Sequence, residues 1–360
     1  MSASEELFAL PWLGRVGRGD LERAARHFSE QRLPPGGVLW EQGHLSTKIG
    51  ILTRGELAVF VDGGRVGSVH RGELVGEAAA FFRGVNRSAT VKARDHSRVA
   101  LLDVEELGRL RASGSPVYLA LLDQALGTLV RRVHATDLRV TSAGVGARER
   151  PGGEPSALLR LWRRLVPGKP KGACPPLTPL LRRQIGLAQL DEAALETIAR
   201  PWQPLELEEG QAVFLEGQPA DAAYLVAEGR VEVLRNVRGK KASCLAELGP
   251  GDLFGANALV DRAPRTASCV AARPTWLYRI SARDFALAPG RSGVLWKESL
   301  LASFASQIRA ANVALNNAMK VPPPPGGRRS ESPEAFAALL TAHGALEGLP
   351  LSEHSVDLAV

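Results

Sequence analysis

The chain has 360 residues, enough for about two domains of ordinary size, and its 45% hydrophobic and 23% charged residues are typical of a globular protein. It has no apolar run of about 18 residues, which excludes a transmembrane helix, and the acidic start "MSASEELFAL" is unlike a secretory signal. Three cysteines without metal-ligand spacing argue against a disulfide framework and a zinc site. We therefore expect a cytoplasmic protein.

The net charge of +7 is concentrated in one segment. Residues 139–183 contain ten Lys or Arg and two Asp or Glu, a net charge of +8, so the rest of the chain sums to about −1. Such a segment could contact nucleic acid, an acidic partner or an anionic surface, or it could be a solvated basic linker.

The sequence contains an internal repeat. "GGVLWEQG" (36–43) aligns with "GQAVFLEG" (210–217), and "RGELVGE" (71–77) aligns with "PGDLFGA" (250–256). Within each copy, short runs rich in Val, Leu and Phe are separated by Gly, Asp and Pro at a spacing of roughly 8–12 residues. This pattern predicts an antiparallel β jelly roll in each copy.

Helices are predicted on both sides of each copy, and in the two long ones apolar residues recur at three- and four-residue steps. The fold class is therefore mainly β with flanking α-helices: two jelly-roll domains, each followed by a long C-terminal helix. Pro116 suits the first turn of the first long helix, and Asp191 is the expected N-cap of the helix before the second copy. The predicted helices are 19–28 and 115–140 around the first copy, and 190–202 and 294–319 around the second.

This pattern divides the chain into four parts. Residues 1–140 form the first domain with its long helix, and 141–176 form a basic linker rich in Gly, Pro and Arg. Residues 177–320 form the second domain with its helix, and 321–360 form a Pro-rich linker and short tail. No helix-turn-helix is evident after the second long helix.

The stretch "LVGEAAAFFRGVNRSATV" (74–91) has the features of an anion site. A short helix after a glycine would present free backbone N–H groups, and Arg87 would supply a permanently charged fork for a phosphate. Glu77 would accept a hydrogen bond from a hydroxyl. A ribose cyclic phosphate with a free 2′-OH satisfies both residues; the alternative is a surface ion pair between them.

The same stretch resembles the phosphate-binding cassette of cyclic-nucleotide-binding domains, as found in catabolite activator proteins and protein kinase A regulatory subunits. Gly76 and Glu77 match its Gly-Glu pair, and Arg87, Ala89 and Val91 match its Arg-x-Ala-x-Val end. The resemblance departs from the pattern at two positions, where the family's Phe and Pro are replaced: these are Val75 and Asn86.

The resemblance implies that Glu77 binds the ribose 2′-OH and that Arg87 binds the phosphate of cyclic AMP or cyclic GMP. It also implies an adenine contact from the long helix, which we assign to Thr136; Thr141 is a competing assignment. The predicted ligand-binding residues of the first domain are Gly76, Glu77, Ala78, Arg87, Ser88, Ala89 and Thr136.

The second copy departs from the cassette at its centre, because Ala256 stands where the ribose-binding glutamate belongs. This pocket is therefore silent, weak or suited to another ligand. Its corresponding residues are Gly255, Ala256, Asn257, Arg265, Thr266 and Ala267.

These features predict a non-enzymatic regulator that responds to a cyclic nucleotide and acts on an unidentified protein partner, with no catalytic residues, metal, cofactor or membrane contact. One alternative is a structural or protein-interaction module with vestigial pockets, and another is a nucleic-acid-associated regulator acting through 139–183. An apolar stripe on the first long helix predicts a possible homodimer. The stripe consists of Leu119, Leu122, Leu126, Leu129 and Val133.

Overall fold

The computed structural model describes residues 3–77, 81, 86–142, 172–184, 187–188, 190–235, 243–261, 263–288 and 290–320. At residues 3–4, 134–142, 243 and 309–320 it describes the backbone alone.

The first β unit consists of two antiparallel four-stranded sheets, in the orders β1-β8-β3-β6 and β2-β7-β4-β5. Side chains from both sheets share one buried core that includes Leu52, Leu57, Val91 and Val99. Along β8, Val99 and Leu101 point into this core, whereas Ala100 and Leu102 face the core shared with the helices. The strands are β1 (Phe28–Leu33), β2 (Val38–Trp40), β3 (Lys48–Arg54), β4 (Leu57–Val61), β5 (Gly64–Val69), β6 (Leu74–Val75), β7 (Thr90–Ala93) and β8 (Ser97–Asp103).

The second β unit repeats this topology strand for strand, in the orders β9-β16-β11-β14 and β10-β15-β12-β13. Its separate core includes Val226, Val231, Cys269 and Leu277. The predicted fold class of two β units with flanking helices is confirmed. The strands are β9 (Gln203–Leu207), β10 (Ala212–Phe214), β11 (Ala222–Glu228), β12 (Val231–Arg235), β13 (Ser243–Leu248), β14 (Leu253–Phe254), β15 (Ser268–Ala271) and β16 (Thr275–Ser281).

Helices flank both units, and several begin where the sequence indicates. Pro116 is the first residue of the first long helix, and the Asp191 carboxylate accepts a hydrogen bond of 2.7 Å from the Ala194 N–H. The helix predicted over 19–28 ends earlier, because Phe28 already belongs to β1. The helices are α1 (Ala3–Phe8), α2 (Arg18–Ala25), α3 (Val104–Ala112), α4 (Pro116–Ser142), α5 (Leu177–Leu181), α6 (Glu192–Ala199), α7 (Ala282–Ala286) and α8 (Gly290–Lys320). Among the helices described, none has the length and hydropathy needed to cross a membrane.

The long helices α4 and α8 pack against each other within one chain and contribute to one continuous core. Four residues of the predicted dimer stripe are at most 5% exposed there, whereas Leu119 is 36% exposed. The stripe is thus buried within one chain and does not itself indicate a second copy; the homodimer stays a prediction. The sequence shows that the stripe needs an apolar partner but does not show which helix supplies it. The four buried residues are Leu122, Leu126, Leu129 and Val133.

A polar cluster joins the two long helices near their starts. The Glu298 carboxylate on α8 accepts hydrogen bonds from Arg111 Nε at 2.7 Å and Nη2 at 2.8 Å, and from the hydroxyl of buried Tyr118. Burial and the Glu298 charge raise the pKa of Tyr118, and the hydrogen bond to Glu298 raises the pKa of Arg111. The hydroxyl therefore remains a donor and the guanidinium a cation at neutral pH.

We predict that Glu298→Ala destabilises the chain by about 1–3 kcal/mol, because it leaves the Tyr118 hydroxyl buried without its acceptor. The matched control is Lys297→Ala on the same turn of α8, which removes an ion pair to Asp123, a residue whose side chain is 57% exposed. That exposed pair contributes about 0–1 kcal/mol. Urea denaturation of the parent and both variants measures the free energy of unfolding. Equal losses of stability in the two variants would show that the cluster contributes no more than the exposed ion pair.

Candidate functional site

Gly76 lies at the centre of the candidate site, where the chain leaves β6. Its φ of +79° is in the left-handed region. A Cβ at this position would lie 2.2 Å from Arg87 Nη1 and 2.6 Å from the ring of Trp40. Only glycine therefore allows the backbone, the guanidinium and the indole to approach one another so closely.

Arg87 is only 5% exposed. Its Nη2 donates to the Lys48 carbonyl at 2.6 Å, and its Cζ lies 3.5 Å from the ring centroid of Trp40. Burial lowers the pKa of Arg87 to about 10, partly opposed by the charge of Glu77, so the group remains a cation at neutral pH. Its Nη1 is buried and has no hydrogen-bond partner in the part of the chain that the structure describes.

Glu77, the first residue after Gly76, is 0% exposed. Its Oε1 accepts a hydrogen bond from Arg132 Nη1 on α4, while its Oε2 is buried and no described residue donates to it. The predicted alternative of a surface ion pair between Glu77 and Arg87 is wrong, because both groups are buried and Glu77 pairs with Arg132. A carboxylate and a guanidinium thus each keep one buried polar atom available.

Arg132 is a site residue that the sequence reasoning missed. It comes from α4, 55 positions after Glu77, and it also donates to the Leu74 carbonyl at 3.4 Å. The only signal was its place one helical turn before Thr136, on the helix face expected to approach the ligand.

Of the other residues predicted for the first site, the structure describes the side chains of two, Ser88 and Ala89. Ser88 is exposed and Ala89 is partly buried, directly after Arg87. Ala78 lies outside the described residues. Thr136 and Thr141 belong to the described backbone of α4, but their side chains lie outside the description.

The second copy buries its arginine in a similar frame, with Arg265 7% exposed. Arg265 Nη2 donates to the Ala222 carbonyl at 2.7 Å, and Nη1 donates to the Gly255 carbonyl at 3.3 Å. Its Cζ lies 4.0 Å from the ring centroid of Phe214, and burial lowers its pKa. Both Nη atoms therefore have acceptors from the chain itself, whereas the buried Nε has no partner within the described ranges.

An aromatic cluster fills the second copy beside this arginine. The Tyr224 ring stacks on Phe254 with centroids 5.4 Å apart and lies 5.7 Å from Phe214. The repeat places Gly50 and Val75 at the positions of Tyr224 and Phe254, so the first copy has no such cluster. Ala256 supplies no carboxylate, and the remaining predicted residues of this copy, Asn257, Thr266 and Ala267, are partly buried.

The comparison with protein families identifies both copies. Residues 30–113 and 204–287 each match the sequence model of the family described as the cyclic nucleotide-binding domain. The chain therefore carries two cyclic nucleotide-binding domains in tandem.

Curated relatives match over part of the chain. The cyclic AMP receptor protein of Thermus thermophilus is 38% identical over 108 residues, which are 30% of this chain and 50% of that protein. The CRP-like cAMP-activated global transcriptional regulator of Mycobacterium tuberculosis is 32% identical over 79 residues, 22% of this chain and 35% of that protein. This chain thus spans half of the first relative and about a third of the second.

Two solved structures illustrate the similarity of this chain to known proteins. The cAMP complex of the regulatory domain of Toxoplasma gondii PKA is 17% identical with a TM-score of 0.30, covering 82% of this chain and 94% of that one. The Thermus thermophilus catabolite activator protein is 30% identical with a TM-score of 0.35, covering 37% of this chain and 62% of that one.

We predict that Gly76→Ala destabilises the first domain by about 1–3 kcal/mol more than Gly63→Ala, the loss expected from overpacking. Both glycines have nearly the same φ, +79° and +82°, but a Cβ at Gly63 meets nothing within 4 Å. The difference between the two variants in thermal unfolding isolates the collision with Arg87 and Trp40. Equal losses would show that backbone strain alone accounts for the effect.

Proposed function

We propose that the first domain binds a purine 3′,5′-cyclic nucleotide, cyclic AMP or cyclic GMP, and that the protein is a non-enzymatic regulator controlled by this ligand. One observation carries the proposal: next to Gly76, Glu77 Oε2 and Arg87 Nη1 are both buried and have no hydrogen-bond partner among the described residues. Buried polar groups are rarely left in this state, so a ligand that pairs with both is favoured.

The chemistry of the two atoms specifies the ligand. A carboxylate oxygen accepts from a hydroxyl, which suits the ribose 2′-OH, and a guanidinium N–H donates to an anionic oxygen, which suits the cyclic phosphate. A charge-assisted hydrogen bond of this kind contributes about 1.5–3 kcal/mol. The names of the two curated relatives, both of which refer to cyclic AMP, support the same class of ligand.

For the second domain we propose a degenerate site. Two backbone carbonyls already accept from both Nη atoms of Arg265, and Ala256 offers nothing to a ribose hydroxyl. A nucleotide phosphate would have to replace these contacts without help from a carboxylate. This favours a structural or partner-binding role for the second domain.

Regulation would pass through α4 in this proposal. Arg132 on α4 contacts Glu77, so a ligand at Glu77 acts directly on this helix, which packs against α8 of the second domain. The partner that reads this change is an unidentified protein. We retain the boundaries 1–140, 141–176, 177–320 and 321–360 as part of the proposal, and nucleic-acid contact through 139–183 remains an unsupported alternative.

Calorimetric titration with cyclic AMP and cyclic GMP tests the proposal, with an expected stoichiometry near one per chain. Arg87→Ala should weaken binding by about 2–5 kcal/mol, because the phosphate loses its buried counter-charge. Arg265→Ala is the matched control and should leave the affinity unchanged. If Arg87→Ala binds as tightly as the parent, the site assignment is wrong.

The carboxylate is tested by a reciprocal pair of substitutions. Glu77→Ala should weaken binding by roughly 10- to 150-fold, the contribution of one charged hydrogen bond. Ala256→Glu should leave the stoichiometry near one, because the contacts of Arg265 and the Tyr224 cluster remain. A second binding event in Ala256→Glu would show that the second domain lacks only its carboxylate.

A further inference from the structure

The ring of Trp40 lies beneath the guanidinium of Arg87, the arginine proposed to bind the phosphate. Arg87 is buried, and two groups contact its guanidinium: the Lys48 carbonyl, 2.6 Å from Nη2, and the ring face of Trp40, 3.5 Å from Cζ. Within the described residues, no carboxylate forms an ion pair with it. An aromatic face carries negative potential and attracts a guanidinium, most strongly where water is excluded.

The backbone fixes this stacking. The Gly43 N–H donates to the Arg87 carbonyl at 2.9 Å, and the Arg87 N–H donates to the His44 carbonyl at 2.7 Å. Trp40 ends β2 and pairs with Val91 on β7, four residues after Arg87. These backbone contacts hold the two segments that carry the ring and the guanidinium in register.

The second copy provides an internal comparison. The Gly217 N–H donates to the Arg265 carbonyl at 2.8 Å, the Arg265 N–H donates to the Gln218 carbonyl at 2.9 Å, and Phe214 lies beneath the guanidinium. This copy has lost the ribose carboxylate but keeps an aromatic ring under its arginine. The ring thus accompanies the buried arginine, independently of the carboxylate.

We propose that Trp40 is a positioning residue for phosphate binding. Its ring and the Lys48 carbonyl hold the guanidinium on two sides, which leaves Nη1 beside Gly76 free for the ligand. The arginine is then ordered before the phosphate arrives, so binding does not have to immobilise it. This inference rests on the proposed function of the first domain.

The test compares Trp40→Phe, which installs the ring that the second copy uses, with Trp40→Met, which keeps apolar bulk but removes the ring. In calorimetric titrations with cyclic AMP and cyclic GMP, Trp40→Met should weaken binding by about 5- to 30-fold, the range of a buried cation–π contact. Trp40→Phe should stay within about 3-fold of the parent.

A second ligand separates positioning from general packing. Adenosine has no phosphate, so its affinity, measured by competition, should be the same for the parent and Trp40→Met. An equal loss for adenosine and cyclic AMP would show a packing defect and overturn the inference.

The remaining outcomes of the titrations distinguish a failure of the inference from a failure of the proposed function. If Trp40→Met binds as tightly as the parent, or if the Phe and Met variants weaken binding equally, the inference is wrong while the proposed function stands. If the parent binds neither cyclic nucleotide, the proposed function fails and the inference fails with it. If Trp40→Met does not fold, Trp40→Leu is used in its place. If neither variant folds, Trp40 is required for stability rather than for positioning, and the inference is overturned.

Discussion

The burial of one guanidinium determines how the first domain is arranged around its site. A cation removed from water is strongly destabilising unless its surroundings compensate, and no carboxylate of the described residues forms an ion pair with Arg87. Compensation comes from the Lys48 carbonyl, the Trp40 ring face and the more distant charge of Glu77. Gly76 is required because any larger residue would occupy the same space. These local features all follow from placing a positive charge inside a β unit.

The same constraint extends to the helices. Glu77 is itself buried and needs a partner, which Arg132 supplies from α4. That helix in turn packs on α8 and joins it through Glu298. The site, the long helix and the second domain are thus connected by contacts that can be named residue by residue.

The sequence predicted most of the fold and part of the site. Local signals are sufficient for the short strands between turn residues, the start of α4 at Pro116 and the capping role of Asp191, because each depends on neighbouring residues. Glu77 and Arg87 were found through their spacing in a recognisable motif. Arg132 and Trp40 were not, because their roles arise from contacts 55 and 47 positions away along the chain, and an arginine or tryptophan in isolation does not indicate its partner.

The pairing of α4 with α8 also bears on how the two sites can change over time. In a symmetric homodimer a single substitution appears in both subunits, so both sites gain or lose a residue together. A chain that carries both copies is free of this restriction: one copy can keep its glutamate while the other has Ala256 and a Tyr224 cluster. Since α4 and α8 belong to one polypeptide, the pairing of the two different copies does not depend on protein concentration and requires no association with a second chain.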